Sequence, residues 1–119
     1  YADMHHFAKL GMYESSAEKE YVPYVMPQEH GNHYKTLCLE TENGLCFTAD
    51  KAFEINVSEY SSEDLTAARH TDELHKSGSV LVRIDYKNAG IGSNSCGPEL
   101  LPQYRFSDKQ IDFGFTVEI

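Results

Sequence analysis

The stretch FEINVS, residues 53–58, decides the fold because apolar and polar side chains alternate along it without interruption. Successive side chains of a β-strand point to opposite faces. The pattern therefore predicts a strand with an apolar face on a core and a polar face in solvent. The same alternation recurs over residues 80–87 and, most cleanly, in IDFGFTVEI at residues 111–119. Strands with one buried and one solvated face are typical of antiparallel sheets.

Shorter strand candidates lie between these segments. They cover residues 21–26, 35–41, 45–48 and 103–106. Two of them are separated by Glu42-Asn43-Gly44. Because Asn-Gly supplies the positive φ angles of a type I′ turn, we expect a β-hairpin at this point.

One short helix, near residues 62–69, is expected to interrupt the strands. Ser61 suits the N-cap, and Asp64 follows it at the spacing of a capping box. Leu65 would then face the core. Together, these elements predict a single antiparallel all-β domain over residues 1–119, a β-sandwich with one helix.

The size and charge of the chain restrict its class. A chain of 119 residues is long enough for one domain with one core. Its 10 basic and 19 acidic residues give a net charge of −9, which would repel nucleic acid and anionic membranes. No apolar run approaches the ~20 residues that span a bilayer, and no secretory signal pattern opens the sequence. Because the sequence begins at Tyr1 without an initiator methionine, we expect a fragment or a processed product.

The cysteines and histidines give no metal-binding spacing. Cys38, Cys46 and Cys96 form no close ligand pair, and bridging any two would leave one over. We therefore expect reduced thiols and a reducing compartment, which favours the cytoplasm over the periplasm. The six histidines lack the i, i+4 spacing of a zinc-protease helix, and we expect surface or hydrogen-bonded core positions, with His70 as a buried strut. The sequence thus predicts no metal ligand.

The stretch IDYKNAGIGSNSCGP, residues 84–98, concentrates glycines, polar residues and a cysteine. A phosphate cradle requires a helix N-terminus, which Ser-Asn-Ser-Cys-Gly-Pro cannot begin, so phosphate binding is disfavoured. Cys96 has no basic partner at a recognisable spacing that would make it a nucleophile. The remaining interpretation from the residues is a wide loop that leaves a strand.

Among the acidic residues, Glu29 differs in its setting. It lies in YVPYVMPQEHG, residues 21–31, where two prolines hold the chain in a rigid, non-helical form. Its carboxylate is either a solvated turn residue or a positioned polar group at the rim of a site. The residues alone leave both interpretations open.

Four segments in series are similar to the C-terminal region of glycoside hydrolase family 2 β-galactosidases. YVPYVMPQEHG resembles that family's Tyr-x-Pro-Tyr-x-x-Pro-x-Glu-Asn-Gly signature, with His30 in place of the usual Asn. Residues 53–74 resemble its strand, Ser-x-Tyr, helix and His arrangement. Residues 84–98 fall where the family has Ile-Asp, Gly-Ile-Gly-Gly and a Ser-Trp motif. The opening segment, YADMHHFAKLGMYESS, resembles a Tyr-x-Asp-Arg segment, with Met4 in place of Arg.

The resemblance implies part of the last domain of a bacterial hydrolase, a galactose-mutarotase-like supersandwich of antiparallel strands. Such a parent removes terminal β-D-galactose from β-galactosides by a retaining mechanism with two glutamates. In the family these glutamates and the main metal ligands lie on a central (β/α)₈ barrel. We therefore expect no catalytic residue and no cofactor in this chain, although such parents often use Mg²⁺ and Na⁺. The expected partners are the rest of the parent chain with its barrel, the galactoside substrate and further copies in a homo-oligomer.

The resemblance also gives the loop at residues 84–98 a role. In the family it reaches toward the mouth of the barrel, and Cys96 occupies a position where some members have a tryptophan that stacks on the sugar. We expect five residues to line the rim of the substrate pocket: Glu29, Ser93, Asn94, Ser95 and Cys96. Two other interpretations stay open, a stand-alone carbohydrate-binding β-sandwich and a structural or oligomerisation domain. A partial sandwich would also leave an apolar sheet face uncovered.

Overall fold

A computed structural model of the chain describes residues 11–23, 31–88 and 99–119. Its main elements are strand β1 (His33–Glu40), strand β2 (Cys46–Ser58), helix α1 (Ser62–Ala67), strand β3 (Leu81–Asp85) and strand β4 (Phe115–Glu118). Two short 3₁₀ helices cover Thr71–Glu73 and Pro102–Tyr104. Every pairing between these strands is antiparallel. The all-β class with one short helix is therefore confirmed, and the described strands form a sheet of the kind that makes one layer of a sandwich.

Strand β2 is the centre of the sheet, and each of the other strands pairs with it. β1 lies along one edge of β2, whereas β3 and β4 share the opposite edge. β4 pairs with residues 46–49, which we call the hairpin half of β2. β3 pairs within residues 53–58, which we call the inner half. The two separate strands predicted over these residues are thus one long strand.

Residues 41–45 connect β1 to β2, and the bonded pair Thr41 and Leu45 closes a loop of three residues that ends at Gly44. The backbone N–H of Thr41 donates to the carbonyl of Leu45, and the N–H of Gly44 donates to the carbonyl of Thr41, both at 2.9 Å. These bonds confirm the predicted hairpin. The predicted type I′ turn is wrong, because Gly44 has a φ of 90° while the φ of Asn43 is not positive. A left-handed glycine that follows the turn is typical of three-residue hairpin loops.

An irregular segment separates the two halves of β2. Thr36 of β1 pairs with Phe53, but Cys38 already pairs with Thr48. Between these two pairs, β1 has one residue, whereas β2 has the four residues 49–52. Such an excess on one strand is a bulge, which bends the strand and increases its twist. The two halves of β2 are thus in different local surroundings although they belong to one strand.

The core lies on the inner half. Phe53 is fully buried, and Ile55 of the same face is 7% exposed. Leu65 of α1, which is 8% exposed, completes the group of buried apolar side chains among the described residues. Burial of side chains of this size contributes about 1.5–3 kcal/mol each.

Helix α1 begins as predicted. Ser61 is the N-cap, and its hydroxyl oxygen accepts from the backbone N–H of Asp64 at 3.0 Å. The Ser61 hydroxyl also donates to the Asp64 carboxylate at 2.7 Å. The helix ends at Ala67, before the predicted residue 69. The prediction that His70 is a buried strut is wrong, because this residue is exposed.

Three strand predictions need correction. Residues 103 and 104 lie in the 3₁₀ helix Pro102–Tyr104, and residues 105 and 106 are not in a strand. Residues 21–23 are not in a strand either, while 24–26 lie outside the described residues. The strand predicted over 111–119 shortens to β4. Its apolar side chains are not buried, since Phe115 is 48% exposed and Val117 is 47% exposed. The expected uncovered apolar face is therefore present.

None of the helices in the described part of the chain has the length and apolar character that a membrane crossing requires.

Candidate functional site

The residues predicted to line a pocket rim, Glu29 and Ser93–Cys96, lie outside the described residues. They belong to two segments that we call the first loop (residues 24–30) and the second loop (residues 89–98). The structure describes the chain on both sides of each loop. One residue beside each loop, Asn32 after the first and Asn88 before the second, bonds to the carboxylate of Glu54.

Glu54 lies in the inner half of β2 and is 7% exposed. The side-chain amide of Asn32, just after the first loop, donates from Nδ2 to Glu54 Oε2 at 2.6 Å. The backbone N–H of Asn88, just before the second loop, donates to Glu54 Oε1 at 3.0 Å. Each carboxylate oxygen thus binds a different loop boundary. Hydrogen bonds to charged groups contribute about 1.5–3 kcal/mol each. We call these three residues the Glu54 cluster.

The prediction that the polar face of residues 53–58 lies in solvent is wrong. The polar side chains of the inner half were expected in solvent, but Glu54, Asn56 and Ser58 are 7%, 4% and 5% exposed. The chain before β1 covers part of this face, because a Cβ atom at Gly31 would lie 3.6 Å from the amide nitrogen of Asn56. Buried polar groups require hydrogen-bond partners. The polar face of this strand therefore forms a hydrogen-bonded layer.

A second carboxylate adds to the charge near Glu54. The strand register sets Asp85 of β3 directly opposite Glu54. Like charges that face each other across antiparallel strands destabilise the pair. The donors of Asn32 and Asn88 stabilise the Glu54 carboxylate against this repulsion. A carboxylate held in the middle of a sheet by donors beside two loops is well suited to position those loops.

The boundary of the first loop is fixed by a close backbone approach. Gly31 has a φ of +61°, and a Cβ atom there would lie 2.9 Å from the backbone oxygen of Glu20. Only glycine fits such a position without strain. Nε2 of His33 lies 2.5 Å from Oε2 of Glu20. The chain that leaves the first loop is therefore held by both Glu20 and Glu54 as it enters β1.

The boundary of the second loop is fixed by aromatic packing. The ring of Tyr86 lies 6.1 Å from that of Phe106 and 5.8 Å from that of Phe113, measured between centroids. Tilted ring pairs at such distances are favourable. Nζ of Lys87 also lies 3.4 Å from Oδ2 of Asp108. The chain that follows β3 is thus fixed against the C-terminal segment at the point where the second loop departs.

An open cavity of about 300 Å³ lies beside α1, over another part of the polar face. Asn56, Ser58 and Arg83 contribute to its lining, and Nη2 of Arg83 donates to Oγ of Ser62 at 2.6 Å. Glu63 is the single carboxylate among the described lining residues. Retaining glycoside hydrolysis requires two carboxyl groups about 5–5.5 Å apart. This cavity therefore does not provide a glycosidase centre.

Sequence analysis missed the Glu54 cluster for a physical reason. An alternating strand was assigned one solvated face, and Glu54 was placed on that face. Its two partners are 22 and 34 residues away in the chain, so no local spacing connects them. The available signal was the position of Asn32 and Asn88 next to the two segments that carried the unusual motifs.

Comparison with known proteins agrees with these motifs. The family model for the β-galactosidase small chain matches residues 1–118. A β-galactosidase of Actinobacillus pleuropneumoniae is 44% identical over 117 residues, which are 98% of this chain and 12% of that protein. A β-galactosidase of Staphylococcus xylosus is 39% identical over 98 residues, 80% of this chain and 10% of that protein. One of Kluyveromyces lactis is 33% identical over 123 residues, 98% and 12% of the respective chains.

The chain belongs to the β-galactosidase small-chain family. The resemblance inferred from its four motifs is thereby confirmed. The chain spans 10% to 12% of the length of these three relatives.

Proposed function

We propose that this chain is the small-chain region of a longer β-galactosidase that hydrolyses terminal non-reducing β-D-galactose residues. The match of the family model over residues 1–118, together with 44% identity to a β-galactosidase, carries the proposal. The reaction would use the retaining mechanism, in which a nucleophilic carboxylate and an acid/base carboxylate act in turn. Both would lie on the (β/α)₈ barrel of the parent, and this chain would supply neither.

The contribution of this chain would be to position the rim of the substrate pocket. The Glu54 cluster supports this role, because one buried carboxylate holds the borders of both loops. Pocket-lining positions are proposed for Glu29 of the first loop and for Ser93–Cys96 of the second. A misplacement of about 1 Å in a positioning group can lower a rate about 100-fold. Glu54 would therefore influence catalysis as a positioning residue without touching the substrate.

The rest of the parent chain is the proposed partner of the uncovered sheet face. Phe115 and Val117 of β4 would be buried by the second layer of the sandwich, as apolar side chains on one face require. Assembly of the parent into a homo-oligomer and a cytoplasmic location are further parts of the proposal. Both follow from the family resemblance and the expected reduced thiols.

The proposal is tested by the hydrolysis of an aryl β-galactoside by two samples. The full-length protein that contains this chain is expected to turn over the substrate, whereas the isolated 119-residue chain is expected to show the buffer rate. An inactive full-length protein would contradict the proposal. Turnover by the isolated chain that is lost on mutation of one of its own acids would contradict it as well. Glycan binding by the isolated chain, with no activity in the full-length protein, would favour a carbohydrate-binding module instead.

The rim position of Cys96 has its own test in the full-length protein. Cys96→Ala is expected to leave kcat for an activated aryl galactoside nearly unchanged, because the covalent step would depend on barrel groups. Cys96→Trp adds a stacking face worth on the order of 1 kcal/mol, so KM or acceptor preference should shift about fivefold. A thousandfold loss of kcat in Cys96→Ala with the fold intact would show that the thiol is catalytic.

A further inference from the structure

A group of soft and acidic side chains lies on one face of the sheet at the hairpin half of β2. Cys46 is paired with Glu40 of β1, and Cys38 is paired with Thr48, two positions further along β2. The two sulfur atoms lie 3.5 Å apart, and Sγ of Cys38 lies 4.0 Å from Oε1 of Glu40. One ligand atom from each of Cys38, Glu40 and Cys46 falls within 4.8 Å of the other two. Ligand atoms at this spacing are close enough to bind one metal ion together.

The pairing favours chelation over a disulfide. Cys38 and Cys46 are diagonal neighbours across the two strands, a relation that separates Cα atoms by about 7–8 Å. Disulfides usually require about 4.4–6.8 Å between Cα atoms. Both residues are free cysteines in the structure. The sulfurs approach each other without the backbone being close enough for an unstrained bridge.

The sulfur separation suits a tetrahedral zinc ion. Two thiolates bound at about 2.3 Å to one Zn²⁺ lie ~3.8 Å apart, close to the distance between these sulfur atoms. Thiolates with a carboxylate select zinc or cadmium over magnesium and calcium, which prefer oxygen ligands alone. We propose that Cys38, Cys46 and Glu40 form a zinc-binding site on this hairpin.

The surroundings supply access and a candidate for the fourth position. Cys38 and Glu40 are exposed and Cys46 is partly exposed, so an ion can enter directly from solvent. The register places Glu118 of β4 opposite Cys46 on its other side. The hydrogen bond between Cys46 and Cys38, then burial, and then the negative charges of nearby groups that include Glu40 and Glu118 raise the pKa of Cys46. Glu118 or a water molecule would complete the tetrahedron, and zinc would displace the thiol protons on binding.

The site would cross-link the part of the sheet with the least burial. Its three ligands come from β1 and β2, and Glu118 would extend the link to β4. This role is independent of the proposed glycosidase function, since none of these residues borders either loop. The site could not be predicted from local spacing, because the two cysteines are eight residues apart and become neighbours only through the hairpin.

The test is equilibrium dialysis of the reduced full-length protein against Zn²⁺, with bound zinc measured by elemental analysis. The wild type is compared with Cys38→Ser, Cys46→Ser and Glu40→Gln. Cys96→Ser and Glu42→Gln, an exposed acid in the same hairpin loop, are the matched controls. We expect each Cys→Ser variant to bind one zinc ion about 100-fold more weakly than the wild type, at the upper end of losses seen for supporting residues. Glu40→Gln should weaken it about tenfold, and both controls should match the wild type.

A second readout separates binding from loss of structure. Saturating zinc should raise the thermal midpoint of the wild type and of both controls, because an ion that binds only the folded state stabilises it. The midpoints of Cys38→Ser and Cys46→Ser should not respond, while their zinc-free midpoints stay within a few degrees of the wild type. Zinc affinity that is unchanged in both cysteine variants would overturn the proposal. A disulfide between Cys38 and Cys46 in the freshly purified wild type would also overturn the proposal. It would be seen as a mass two hydrogens below the reduced value with neither thiol free.

Discussion

The inner half and the hairpin half of β2 are one strand with two different surroundings. The inner half contains fully buried Phe53 and, on its opposite face, Glu54 with 7% exposure. The hairpin half is only partly buried, and Phe115 of its neighbour β4 is 48% exposed. Apolar and polar side chains alternate both in the inner half and in β4, the neighbour of the hairpin half. The alternation of apolar and polar residues therefore determines which side chains share a face, whereas the elements packed on that face determine how deeply they are buried.

The covering elements explain the difference. The chain around Gly31 lies over the polar face of the inner half, close to the side-chain amide of Asn56. The hairpin half is covered on neither face to the same extent by the described residues. In the proposed parent, a further layer would cover its apolar face. The inner half would then be an independent folding core and the hairpin half a docking region.

The largest expected effect is the loss of the Phe53 side chain. Phe53→Ala removes a side chain that is fully buried, and we expect a loss of about 3–5 kcal/mol in the free energy of unfolding. Phe115→Ala, at 48% exposure, is the matched control and should cost less than about 1 kcal/mol in the isolated chain. Urea unfolding of both variants measures the difference. Equal losses would mean that the two halves do not differ in packing.

The next effect concerns the buried carboxylate. Glu54→Ala leaves the donors of Asn32 and Asn88 without their acceptor, and we expect a loss of about 2–4 kcal/mol. Glu40→Ala, on the exposed hairpin, should stay within about 0.5 kcal/mol of the wild type when a chelator is present. The same unfolding experiment applies. A Glu40 variant as unstable as the Glu54 variant would contradict the assignment of the two halves.

A smaller effect is expected from two of the three left-handed glycines among the described residues, Gly31 and Gly44. Gly31→Ala places a Cβ atom 2.9 Å from the backbone oxygen of Glu20 at a φ of +61°, and we expect a loss of about 2–3 kcal/mol. Gly44→Ala meets no atom within 4 Å, so only its φ of +90° opposes the substitution, at about 1–2 kcal/mol. Thermal unfolding of the pair compares them. A more damaging change at Gly44 would argue against the tight approach beside the first loop.

The smallest effect is expected at the end of the inner half, where Nζ of Lys76 lies 2.6 Å from Oε2 of Glu59. The hydrogen bond that Lys76 donates to Glu59 raises the pKa of Lys76 above its ordinary 10.5. A raised folded-state pKa gives a contribution that is fully present below the unfolded value and is lost as pH rises through the folded value. The stability difference between the wild type and Glu59→Gln should therefore shrink above about pH 10.5. A stability difference that grows above this pH would contradict the predicted direction of the pH dependence.

Sequence analysis recovered the features that depend on local pattern. The Ser61 cap, the β1–β2 hairpin and the alternating strands are properties of short stretches, and all are present. The family was also recognisable, because four motifs occur in order. What could not be predicted depends on groups brought together by the fold. The contact of Glu54 with Asn32 forms where the chain enters β1, and the contact between Cys38 and Cys46 arises from the pairing of β1 with β2.

The predicted length of the last strand was wrong for a related reason. The alternation at residues 111–119 describes which side chains would face a core, but β4 covers only Phe115–Glu118 in the structure. An alternating segment forms a strand where a neighbouring strand accepts its hydrogen bonds. The register gives β4 partners on β2 only over residues 46–49.

The most direct test of the central claim is the kcat/KM of the full-length protein with Glu54→Gln. Glutamine keeps the shape of the side chain but replaces one acceptor oxygen with a donor, which disturbs one loop boundary. We expect kcat/KM for an aryl β-galactoside to fall about tenfold or more while the protein stays folded at the assay temperature. The control Glu42→Gln, on the exposed hairpin loop, should match the wild type. An unchanged kcat/KM in folded Glu54→Gln would contradict the claim that this buried carboxylate positions the rim of the substrate pocket.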